Sequence, residues 1–140
     1  MKKILLPIIL LSIVLLGCSN SMKDIENSIQ STITEFFNEI NNFEITDDSE
    51  SLSNYFTGDS SIKEKLISYL TTFENERYDE EVDHEIDSIT VSKFNNLYKA
   101  EVEYKVISKE SNLILVNSGM NLYLKNINNQ FKIDSGDFGG

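Results

Sequence analysis

Apolar residues recur along this chain in three successive rhythms. From Ile4 to Leu16 they run almost unbroken behind Met1-Lys2-Lys3, with only Pro7 and Ser12 interrupting. Such a run is short of the roughly 20 residues a spanning helix needs. Two lysines ahead of it give the charged and apolar regions of a secretory leader. From Ile25 the rhythm changes to steps of three and four. Ile25, Ile29, Ile33, Phe36, Phe37, Ile40 and Phe43 make one stripe and predict a helix over 23–42. Ser21 and Asp24 have capping-box spacing, with Asp in place of Glu. A short second helix is predicted over 49–56, capped by Asp48 and ended by Gly58, with Leu52, Tyr55 and Phe56 inward. A third is predicted over 61–74, capped by Ser60, with Ile62, Leu66, Tyr69, Leu70 and Phe73 as its stripe.

Beyond residue 84 the period falls to two. Strands are predicted over 85–94, 97–108, 112–126 and 130–135. The second alternates most cleanly, with Tyr98, Ala100, Val102, Tyr104 and Val106 against Lys99, Glu101, Glu103 and Lys105. The third sets Ile114, Val116, Met120, Leu122 and Leu124 on one face, and the fourth carries Phe131 and Ile133. Asn95-Asn96 and Asn128-Asn129 suit tight turns because Asn tolerates positive φ, and Lys109-Glu110-Ser111 supplies the turn between. Ile86 lies on one parity and Ile89 and Val91 on the other. A loop or bulge near Asp87-Ser88 is therefore expected, with the paired strand starting after it. Gly119 in mid-strand predicts a second bulge or bend.

Three helices followed by a four-strand meander make an α+β fold. The expected architecture is three N-terminal helices packed on a curved, cone-like four-stranded antiparallel sheet, after a cleaved signal peptide. A small cystatin-like helix-on-sheet domain uses the same elements. Over residues 22–135 the chain resembles the nuclear-transport-factor-two-like superfamily, which includes SnoaL-like cyclases and ketosteroid isomerases. The element order carries this likeness, with Leu52-Ser-Asn-Tyr-Phe-Thr-Gly58 and Gln130-Phe-Lys-Ile-Asp134. The resemblance implies a cone whose mouth, in the enzymes, holds an Asp or His with a Tyr.

Leu15-Leu16-Gly17-Cys18 resembles the lipobox of bacterial lipoproteins, and Cys18 is the chain's one cysteine. The resemblance implies cleavage between Gly17 and Cys18 and a diacylglyceryl group, with palmitate-type chains, on the Cys18 sulfur. Two acyl chains anchor a protein stably where one does not. The chain then divides into a leader (1–17), the lipidated Cys18 with a tether (18–22), and one α+β domain (23–140). Residues 19–22, if extended, reach roughly 15 Å. The expected location is the outer face of the bacterial cell membrane, or the outer membrane of a cell that has two.

The 140 residues carry 12 Lys+Arg against 23 Asp+Glu. Losing Lys2 and Lys3 with the leader takes the formal charge from −11 to −13. So acidic a chain lacks the basic footprint of a nucleic-acid binder. It should also be repelled by anionic lipid, and the expectation is a domain standing off the membrane. One cysteine and one histidine exclude an internal disulfide and any Cys-clustered metal site. No phosphate loop, nucleophile elbow or zinc-helix motif is present, and no cofactor is expected.

Two constellations remain. Tyr55, Tyr69, Tyr98, Tyr104 and Asp134 are possible pocket residues, with Tyr123 and His84 as further candidates. Tyrosines at such spacings usually fill cores with their hydroxyls at the rim, and His84, among acids, reads as solvated. Glu81, Asp83, Glu85 and Asp87 would share one face of an extended segment and are weak ligand candidates for a hard cation. No metal is expected, because carboxylates along a flat face diverge. The expected function is a non-catalytic binding or assembly domain for a protein partner, not an enzyme. The alternative is a small-molecule carrier or an isomerase-like enzyme using a cone pocket. The outer sheet face, with Lys99, Glu101, Glu103, Lys105 and Tyr123, permits a homodimer.

Overall fold

The apolar stripe of residues 25–43 does form a helix, and the helix is longer than its stripe. The computed structural model describes residues 5–44 and 47–139, with side chains from residue 21 on. In it α1 spans Leu5–Asn42. Ile29, Ile33, Phe36, Phe37 and Ile40 are buried along one face. Because α1 runs on through Ser21 and Asp24, these two do not form a capping box. Residues 19–22 are helical instead of an extended tether. Side chains through residue 20, and with them the lipobox and the Cys18 sulfur, lie outside the described residues. Among the described residues no helix is long and apolar enough to cross a membrane.

The second helix is shorter than its pattern. α2 covers Glu50–Ser53 and buries Leu52. Asp48 serves its start as expected, its Oδ1 accepting from the Glu50 N–H at 3.0 Å. The helix stops before Gly58 because residues 55–57 leave it to bond β4: Ile133 N–H donates to Tyr55 O at 2.7 Å and Thr57 N–H to Ile133 O at 3.0 Å. The third helix is interrupted: α3 (Lys63–Ser68), a π turn (Tyr69–Phe73) and α4 (Glu74–Tyr78) follow without a break. Ser60 does not cap it, since its hydroxyl donates to Asp134 O. Asp79, at φ 52°, closes it in the left-handed region. Ile62, Leu66 and Leu70 are buried as predicted, but Phe73 is half exposed and stacks on Tyr69.

The strands are β1 (Val82–Phe94), β2 (Leu97–Ser108), β3 (Ile114–Ile127) and β4 (Gln130–Asp137), antiparallel in the order β1-β2-β3-β4. Asn128 and Asn129 both have positive φ, as a type I′ turn requires, and Asn95 has φ 52° in the other hairpin. The parity break in β1 is a bulge at Asp87, between the Ile86–Tyr104 and Ser88–Glu103 pairs. Pairing nonetheless begins at Val82, ahead of the bulge, because Val82 and His84 already alternate inward. Gly119 pairs in register with Glu103 and makes no bulge. The register shifts fall instead at Leu115 and at Asp134. The first reverses the phase of β3 and leaves Ile114 exposed, contrary to its predicted inward face.

α1 lies along the free edge of β1. Asn41 acts as a surrogate strand residue, its Nδ2 donating to His84 O and its Oδ1 accepting from His84 N–H, each at 2.8 Å. Gln30 Nε2 donates to Ile89 O at 3.1 Å. Residues 55–57 guard the β4 edge, so both edges are covered. Between helix and sheet, Phe36 meets Tyr55 and Phe56 while Phe37 meets Tyr104 and His84. Phe36→Ala should therefore cost about 3–5 kcal/mol in urea unfolding. Leu113→Ser, on an exposed loop, should stay within about 0.5 kcal/mol of the parent.

Candidate functional site

One ionisable cluster lies inside the domain. The spacing of four from Ile62 through Leu66 and Leu70 continues to Glu74, which is buried. Successive fourth residues of an α-helix drift about 40° around its axis. The π turn takes up an extra residue and offsets that drift, so Glu74 stays on the inward face. Opposite it, His84 lies between Val82 and Ile86 on the inward face of β1. His84 Nε2 is 2.8 Å from Glu74 Oε2, and the Tyr104 hydroxyl donates to Glu74 Oε1 at 3.4 Å. His84 Nδ1 is 3.4 Å from Asn41 Oδ1. Exposures of 2% for Glu74, 3% for His84 and 1% for Tyr104 put all three out of reach of solvent. The solvated histidine expected from the acid-rich sequence is thus a core residue.

The predicted pocket residues divide between two ends of the molecule. Tyr69 joins the cluster from the π turn, and burial and then the Glu74 carboxylate raise its pKa. Burial also pushes the Tyr104 phenol well up, with Glu74 adding to the rise and a bond to Ser118 opposing it. Tyr55 and Tyr98 lie elsewhere. Tyr55 donates to Glu39 Oε1 at 2.7 Å, and burial followed by that bond raises its pKa. It borders a surface groove of about 320 Å³ with Ser28, Thr32, Asn129 and Gln130. Tyr98 packs edge-on against Phe131. Asp134 sits at the β4 bulge and accepts from the Thr57 hydroxyl at 2.9 Å, fastening the 55–60 loop to the sheet. The set therefore lines no common pocket.

The acids of β1 do not converge. Asp83 faces Lys109 at 3.7 Å and Asp87 faces Lys105 at 2.7 Å, while Glu81 and Glu85 are exposed. The bond to Asp87 raises the Lys105 pKa. Among the described residues no three His, Cys, Asp or Glu side chains form a metal-holding group. On the outer sheet face Lys99 pairs with Glu101 at 2.9 Å, and Ser88 donates to Glu103. Its charges are thus met largely within the chain.

Compared by sequence, the chain matches no family model and no curated protein. Solved structures are similar in fold. An NTF2-like protein with a cystatin-like fold from Novosphingobium aromaticivorans shares 11% identity at TM-score 0.64, covering 86% of this chain and 84% of its own. The fold is the NTF2-like cone. A protein of unknown function from Mycobacterium tuberculosis matches at 15% identity and TM-score 0.62, over 87% of this chain and 74% of that one. Another, of cystatin-like fold from Nostoc punctiforme, matches at 12% identity and TM-score 0.62, over 81% and 88%. Such cones host many functions, so the likeness speaks of architecture.

Within this NTF2-like cone the Glu74–His84 pair should behave as a coupled unit. His84→Leu alone leaves a buried carboxyl without its partner and should cost about 3–5 kcal/mol. With Glu74→Leu added, the loss should fall short of the sum by about 0.5–3 kcal/mol in a double-mutant cycle. Tyr55 and Tyr104 give a pH signature. Their folded pKa values lie above the unfolded value of 10.0. The unfolded chain therefore ionises first, and the stability they contribute is full below pH 10 and falls as pH rises above it. Absorbance titration should show both phenols ionising at higher pH in the folded protein than in the urea-unfolded chain.

Proposed function

We propose that the protein is an extracytoplasmic lipoprotein, anchored by a diacylglyceryl thioether at Cys18, whose cone is a non-catalytic docking domain for a protein partner. The observation that carries the docking role is the β2–β3 loop. Leu113 and Ile114 are 65% and 56% exposed there. The turn bonds back to the start of β1, Lys109 N–H donating to Glu81 O at 3.0 Å. Glu81, Asp83 and Glu110 consequently lie at the same end of the sheet as the two apolar side chains, with Lys109 facing Asp83 among them. An apolar centre with a polar rim is the anatomy of a protein interface, and this rim suits a basic partner. The leader and lipobox support the anchor, and they put the domain on the outer face of the cell membrane or in an outer membrane.

One observation favours an isomerase-like reading, the Glu74–His84–Tyr104 cluster. A substrate would have to displace core side chains to touch it, and the docking reading needs no such opening. Mass spectrometry of the native product tests the anchor. The expected result is an N-terminal peptide beginning at lipid-modified Cys18, and an intact leader with an unmodified thiol would sink it. Docking is tested with a photo-crosslinker at Leu113 and a second at Lys63. The partner should be trapped from the first only. Its association rate should fall about tenfold between low and high salt and slow again in Glu110→Lys. A salt-independent rate would count against the acidic rim.

A further inference from the structure

Resting on the anchor proposed at Cys18, we infer that the opposite end of the domain is a lipid-facing surface. Its β1–β2 and β3–β4 turns would lie against anionic phospholipid. The direction of α1 places them there. Asn41 bonds to His84 and Gln30 to Ile89, so α1 runs antiparallel to β1 and its N-terminus points toward Phe94. Ser28 and Thr32 border Asn129 and Gln130 in one groove, which sets α1 level with the second turn at those residues. The sheet register brings the two turns to the same end: Phe94 pairs with Leu97, Tyr98 with Leu124 and Ile127 with Gln130. From Ser28 the helix continues toward the β1–β2 turn, and by residue 19 it covers the roughly 17 Å of strand that separates Ile89, beside Gln30, from Phe94. Met22 lies about 9 Å along it and Cys18 about 6 Å farther, at 1.5 Å per residue. The anchor is therefore at this end, on a helical connection much shorter than the extended tether its sequence suggested.

This end has the surface chemistry a bilayer would take. Met22, Phe94 and Ile127 are exposed there at 40%, 46% and 36%. Single exposed apolar residues are ordinary, but these three lie at the end toward which α1 runs back to Cys18. Lys23, Lys93 and Lys125 are exposed beside them, and Lys132, which bonds Asn54 O, lies behind. Against these four lysines α1 brings Asp24, Glu26 and, lining the groove at Asn129 and Gln130, Glu35. A uniform charge of −13 would hold the domain off an anionic surface, but the acids concentrate elsewhere. Glu76, Glu80, Glu81, Asp83 and Glu110 sit around the far loop. The charge separation turns the basic end toward lipid phosphates while the acidic end is repelled. Apolar side chains entering the headgroup layer add to that attraction.

The test uses the native lipidated protein with one introduced cysteine: Asn96→Cys, Asn126→Cys or, at the far end, Glu110→Cys. A lipidated Cys18 has no free thiol, so a spin label attaches at the introduced site alone. Labelling of the parent protein would show that Cys18 is free and that the anchor, not the lipid-facing surface, has failed. On mixed phosphatidylcholine–phosphatidylglycerol vesicles, labels at 96 and 126 should gain contact with oxygen and lose contact with a water-soluble nickel chelate. The label at 110 should stay in water. Replacing Lys93 and Lys125 by Glu, or using pure phosphatidylcholine, should return 96 and 126 toward water. Each lysine lost should lower the docked fraction about fivefold. Lipidated protein with all three labels in water, or with 110 protected in place of 96 and 126, overturns the inference. Protection that is the same on both vesicle types, or that requires a second protein, overturns it as well.

Discussion

Glu74 and His84 can be buried only together, and much of the domain's geometry serves that requirement. An unpaired carboxylate or imidazolium in a core would cost several kcal/mol. The pair draws together three elements distant in sequence: the third helix supplies Glu74, β1 supplies His84, and Tyr104 comes from β2. The π turn keeps Glu74 on the inward face. Asn41 then fixes the His84 backbone from α1 with two hydrogen bonds. Helix, strand edge and the Glu74–His84 contact consequently hold one another in position. The cluster is an interior clasp that joins the third helix, β1 and β2.

The periodic parts of this arrangement were legible in the sequence. Ile29 to Ile40 keep helical spacing and are buried, and Ala100 to Val106 alternate and face the core. Even the Asp87 bulge was visible, because Ile86 and Ile89 cannot share a face of an unbroken strand. The Leu115 bulge was not visible. Leu113, Ile114, Leu115 and Val116 are all apolar, so a shift of phase there changes nothing in the pattern. The clasp escaped the pattern for a different reason. His84 and Glu74 stand among acids, and their composition spoke for the surface. Their spacing spoke for the core, with Val82-x-His84-x-Ile86 keeping the strand period and Glu74 following Leu70 by four. Spacing is the better guide here because backbone geometry dictates which face a residue occupies, and a partner across the core can then meet its charge.

The same geometry arranges the outside of the molecule. An antiparallel meander puts alternate turns at opposite ends, so the 94–97 and 127–130 turns share one end and the 109–113 loop occupies the other. Once Asn41 and Gln30 fix α1 along β1, the helix N-terminus must belong to the end with two turns. Apolar exposure at both ends then takes on different meanings. Beside Lys93 and Lys125, Phe94 and Ile127 suit a surface of negative headgroups. Among Glu81, Asp83 and Glu110, Leu113 and Ile114 suit a basic protein. A domain held at one end by lipid would present the other to the medium. In that reading the sorting of charge along the strand axis, with little contribution from total charge, gives a small acidic protein an orientation on a membrane.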